Sequence, residues 1–130
     1  MIETINNKWF RSACIAGALF MAAVLLFGAE RIGEVNLVPH WLHKVEHFFY
    51  YGIMAVLVAH GVGRRFLWIA LAAVPLVGAL DEWHQYYVPG RDSSVYDLMV
   101  DALASFLAVY VYCRWTGVRD RIVKRELRRR

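Results

Sequence analysis

The sequence predicts an all-α membrane protein, an antiparallel bundle of four transmembrane helices with both termini cytoplasmic. Three observations predict it. The chain has 130 residues, of which 59% are hydrophobic and 20% charged, against about 45–50% apolar in an ordinary soluble domain. The apolar residues fall in four long blocks joined by short charged segments, the pattern of a multi-pass chain. The basic residues collect at alternate joints, which fixes a direction of insertion.

The first block, SACIAGALFMAAVLLFG, runs from Ser12 to Gly28 and carries no charge. Lys8 and Arg11 precede it as they would in a signal peptide. Phe27-Gly28-Ala29 is a poor cleavage site, so an uncleaved helix is expected. The second block, Val45 to Val62, is apolar apart from Glu46, His47 and His60. The third, Phe66 to about Tyr87, contains Pro75 and Gly78, which a helix inside a membrane bundle tolerates. The fourth runs from about Tyr96 to Cys113. Strand alternation is absent, so a β-barrel is not indicated. Two cysteines, Cys14 and Cys113, lie in separate apolar blocks; they read as small packing residues, with no CxxC framework.

Lys8, Arg11, Arg64, Arg65 and the run from Arg114 to Arg130 all fall on one side, which the positive-inside rule makes cytoplasmic. The expected division is a four-helix domain over 1–114 and a basic cytoplasmic tail over 115–130. The formal net charge is +4. Anionic inner-leaflet lipid is the expected partner of the tail, by about 1 kcal/mol per basic residue near the surface. Without a folded reading surface, nucleic acid is not expected.

The unusual polar residues map to the opposite end. His40, His43, Lys44 and His47 share one face if the second helix begins that early, and Tyr51 extends that face inward. Asp81, Glu82, His84 and Gln85 end the third helix, and Asp97 and Asp101 open the fourth one turn apart. Ionisable groups at that depth are costly unless paired, which makes them functional candidates. A polar network that merely pins helix ends uses the same residues. In VPGRDSS, Pro89-Gly90 signals a turn and Ser93 or Ser94 is placed to cap the fourth helix. Arg91 can pair with Glu82, with Asp97 or with a phosphate.

EWHQYYVPGRDSSVYDLMVD, Glu82 to Asp101, resembles the signature of the VanZ-like family of small integral membrane proteins. That signature reads E-x-x-Q, a Pro-Gly-Arg turn, then an Asp followed four residues later by Asn. It falls on Glu82, Gln85, Pro89-Gly90-Arg91 and Asp97. An upstream element, D-K-x-x-H with Tyr four residues on, falls on Lys44, His47 and Tyr51. His43 stands where Asp is usual, Asp101 where Asn is usual, and Ala104-Ser105 where Gly is usual. The resemblance implies a cell-envelope role on the outer face, in the setting of resistance to teicoplanin, a lipid-bearing glycopeptide; it implies no agreed reaction.

The expected binding residues are therefore Lys44, His47, Tyr51, Glu82, Gln85, Arg91, Asp97 and Asp101, meeting the headgroup of a membrane lipid or lipid-linked envelope precursor in the cell membrane. An intramembrane hydrolase or transferase acting on a phosphorylated or glycosylated lipid is the rival, and a structural accessory packing through Phe48, Phe49, Tyr50 and Trp68 is a third reading. His43, Glu46 and His47 fit H-x-x-E-H, a zinc-peptidase pattern. Because His43 occupies an Asp position of the family pattern, the match reads as coincidence, and no metal or cofactor is expected.

Overall fold

The computed structural model describes residues 8–28, 40–87 and 94–129. Four helices occupy them: α1 (Lys8–Gly28), α2 (His40–Val62), α3 (Leu67–Tyr86) and α4 (Val95–Arg129), with one 3₁₀ turn, Arg64–Phe66, between α2 and α3. Each helix contains a segment long and apolar enough to cross a membrane. Many large apolar side chains point outward, among them Leu19, Phe20, Trp68, Leu76, Leu103 and Phe106, while Tyr51, Met54 and Val74 are buried. The interior is rich in small residues, including Ala18, Ala55, Ala59, Ala70, Ala104 and Ser105. Lipid removes the drive to bury leucine, so membrane helices associate through small residues that let backbones approach.

Side-chain contacts give the directions. The Arg11 guanidinium, near the start of α1, donates to the carbonyls of Gly61 and Val62 at the end of α2, at 3.0 and 2.9 Å. Tyr50, early in α2, donates its hydroxyl to the Met21 carbonyl late in α1 at 2.5 Å. α1 and α2 are therefore antiparallel. Ser94, at the entrance to α4, bonds Glu82 at the end of α3, so these two are also antiparallel. His47 near the start of α2 meets Asp101 near the start of α4, while His60 meets Tyr112 toward the other end. α2 and α4 thus run the same way and form the central contact, with α3 packed on both and α1 on α2.

Arg11 satisfies carbonyls that have no partner within their own helix, at the negative end of the α2 dipole. Replacing it by methionine keeps the aliphatic stem and removes the donors. The expected cost is about 1–2 kcal/mol, measurable as a lower unfolding midpoint in detergent, and lysine should recover only part of it. Just beyond, Gly63 has φ +78° and ψ 168°, an extended positive-φ conformation essentially restricted to glycine. Its N–H closes on the Ala59 carbonyl at 3.0 Å. Arg64 and Asp120 form a 2.7 Å pair, but both side chains are about half exposed, and such pairs contribute little.

Two helices exceed their apolar blocks. α2 starts at His40, five residues ahead of the apolar segment, and α4 continues past Cys113 to Arg129 without a break. At about 1.5 Å per residue α4 is roughly 52 Å long, well beyond the roughly 30 Å hydrocarbon thickness of a bilayer. The segment expected as a basic tail continues the last helix.

Candidate functional site

One end of the bundle holds a buried polar cluster supplied by three helices. α2 contributes His47 and Tyr51, one turn apart; α3 contributes Asp81, Glu82 and Gln85; α4 contributes Asp97 and Asp101, again one turn apart. The helical period puts each set on an inward face. Tyr51 and Asp101 are fully buried and Asp81 nearly so, with Glu82 and Gln85 also in the interior.

The bonds within the cluster tie its helices together. The Nδ1–H of His47 donates to Oδ1 of Asp101 at 3.1 Å, linking α2 to α4. Gln85 Nε2 donates to Oδ2 of Asp81 at 2.7 Å along α3. The backbone N–H of Ser94 donates to Oε2 of Glu82 at 2.7 Å, closing the α3–α4 connection. The Ser94 carbonyl then accepts from the N–H groups of Asp97 and Leu98 in the first turn of α4. Ser105 donates its hydroxyl to the Asp101 carbonyl at 2.7 Å. The His47 and Tyr51 rings stand 5.7 Å apart.

Gly78 makes room for this arrangement. A Cβ there would lie 2.9 Å from Asp101 Oδ2 and 3.5 Å from the Tyr51 ring. The glycine in the apolar stretch of α3 thus lets the Asp101 carboxylate enter the interior.

Several polar atoms remain without a partner among the described residues: the Tyr51 hydroxyl, Oδ1 of Asp97 and Oδ2 of Asp101. Buried polar atoms are ordinarily hydrogen-bonded, and an orphan calls for an explanation. The cluster is also unbalanced in chemistry. It gathers carboxyl groups from Asp81, Glu82, Asp97 and Asp101, which accept hydrogen bonds when ionised. The described donors are one imidazole, one amide, one phenol, a serine hydroxyl and a backbone N–H. The arrangement suits a donor-rich or cationic group.

Of the residues expected from sequence, His47, Tyr51, Glu82, Gln85, Asp97 and Asp101 come together. Lys44 is exposed at the rim, its Nζ 5.9 Å from the centre of the outward-facing Tyr96 ring. Arg91 lies outside the described residues, as does Ser93. Asp81, Ser105 and Gly78 belong to the cluster and were not among the expected binding residues. Asp81 had a readable signal: it precedes Gln85 by one helical turn and follows Gly78 by three residues, so all three share a face of α3. Among the described residues no group of three His, Cys, Asp or Glu side chains is arranged to hold a metal. The side chain of His43 is outside that description.

These features define a class: a four-helix membrane protein with an acceptor-rich polar cluster buried at one end. The chain belongs to the VanZ/LLP1 family, whose model matches residues 4–116 and so takes in all four apolar segments. No curated protein and no solved structure matches it.

Proposed function

We propose that this VanZ-like protein sits in the cell membrane with both termini cytoplasmic and uses its polar end, facing outward, to bind the headgroup of a lipid or lipid-linked envelope molecule. The observation that carries the reading is the set of buried oxygens on Tyr51, Asp97 and Asp101 that find no partner among the described residues. An ammonium or hydroxyl group of a headgroup would supply the missing donors. Lys44, exposed at the rim, and Arg91 in the α3–α4 connection are the cations suited to its phosphate. Occupancy of such a site would change access of a lipid-bearing glycopeptide such as teicoplanin to the outer surface, consistent with a role in resistance.

The test is native mass spectrometry of the protein released from mild detergent. Wild type should retain a lipid or lipid-linked adduct. Asp97→Asn and Lys44→Ala should each lower its occupancy by about tenfold, the loss of one charge-assisted hydrogen bond. Retention at wild-type level in both folded variants would remove the cluster as the binding element.

A further inference from the structure

A second feature lies on the membrane-facing side of the α2–α4 contact and extends to the opposite, basic end. It is a groove of about 510 Å³ between the two parallel helices, bordered by Phe49, Ile53, Leu107 and Val111 and floored by Gly52 and Ala108. The floor is low because α2 and α4 meet there through small residues: a Cβ on Gly52 would touch Ala108 at 3.9 Å. On α2 the groove runs from Phe48 to His60, about 18 Å along the axis, against roughly 15 Å for one leaflet's share of the hydrocarbon layer.

The polarity of the lining is graded. Its walls are apolar until the basic end, where His60, Tyr112 and Trp115 complete them. Tyr112 is buried against His60, whereas Trp115 is exposed and has the apolar body and polar tip that mark a membrane interface. Directly outside, the Arg119 guanidinium lies 5.8 Å from the centre of the Trp115 ring. Arg114, Arg121 and Arg125 follow on the exposed surface of α4, and Arg64 and Arg65 lie exposed in the 3₁₀ turn. Of these, Arg64 is engaged by Asp120.

We infer that this groove binds one acyl chain of an anionic phospholipid, with the phosphate at the arginine-rich mouth beside Trp115 and Arg119. The charge at the mouth selects the anionic headgroup, and the apolar groove takes the chain. The inference is independent of the headgroup reading given for the polar cluster, because it uses other residues and the other end of the bundle.

The experiment uses the full-length protein in phosphatidylcholine nanodiscs doped with a phosphatidylglycerol carrying a diazirine along one acyl chain. Photolysis and peptide mapping should place the label on Ile53, Val56, Leu107 and Val111 in preference to the more exposed Phe20 and Leu76. Unlabelled phosphatidylglycerol should compete about fivefold better than phosphatidylcholine, the ratio that about one basic residue near a membrane surface supplies. Ala108→Phe should fill the floor and abolish groove labelling, and Arg114→Gln with Arg119→Gln should remove the anionic preference. Even labelling over all lipid-facing residues, or equal competition by the two lipids, would overturn the inference. So would a disulfide between two copies carrying Ile53→Cys at the groove rim, which would assign it to a second copy. Labelling that depends on Lys44 instead of Arg119 would also overturn it, placing the headgroup at the polar cluster. The wild-type competition decides the matter even if Ala108→Phe fails to fold.

Discussion

Replacing Asp101 by alanine should destabilise the bundle by about 2–3 kcal/mol, the cost of leaving a hydrogen-bond partner unsatisfied; His47 is partly exposed, which keeps the loss below that for a fully buried ion pair. Asparagine at the same position should leave the fold at or above wild-type stability. The difference follows from the two oxygens. Oδ1 accepts from His47, and an amide oxygen can do the same. Oδ2 has no partner among the described residues, so an amide nitrogen there replaces half of a buried carboxylate with a less costly neutral group. Thermal unfolding in one detergent, followed by tryptophan fluorescence, separates the cases. Equal losses in the two variants would mean that the negative charge itself holds α2 to α4. Read with adduct retention, the asparagine variant separates the two uses of the cluster: unchanged stability with a lost adduct marks Asp101 as a binding group.

The second large effect should come from Gly61→Ala. A Cβ at this position would overlap Cγ1 and Cδ1 of Ile15 and stand 3.3 Å from the Arg11 carbonyl. Ile15 is β-branched and stiff at χ1, and the backbone of α1 cannot retreat without straining the bonds from Arg11 to α2. Overpacking of this kind costs about 1–3 kcal/mol. The double variant Gly61→Ala, Ile15→Ala should recover most of the loss, giving a coupling energy of the same order in a double-mutant cycle. Gly52→Ala is the control: its Cβ would meet only ordinary contacts at 3.9 and 4.0 Å, and stability should change little. If both glycines tolerate alanine equally, α1 is not held as closely as its contacts require.

The four spans were legible because bilayer thickness dictates their length, and hydropathy records that requirement directly. Helix ends were less legible. Hydropathy falls at Cys113, yet the arginines, Lys124, Glu126 and Leu127 that follow are good helix formers, so α4 continues where the apolar block stops. The same holds for the extra turn before Val45 in α2. In the cluster, pairs on one helix could be read from spacing: His47 with Tyr51, and Asp97 with Asp101. Glu82 and Gln85 were fixed by the family motif. Pairs across helices could not be read in this way. Nothing local states that His47 reaches Asp101, that the Ser94 backbone closes on Glu82, or that Gly78 makes space for a carboxylate on another helix. Those relations depend on how α2, α3 and α4 are rotated against one another, which small interior residues and tertiary contacts decide.

Asp97 and Asp101 belong to the same uninterrupted helix, α4, as Arg119, Arg125 and the residues up to Arg129. Between Asp101 and Arg129 the helix is continuous over about 42 Å with no interior proline. One continuous helix thus joins the carboxylates at one end of the bundle to the arginines at the other. The helix that carries the arginines of the basic end is therefore the same one that sets Asp101 against His47, so the two ends of the bundle share one backbone and not two separately placed elements.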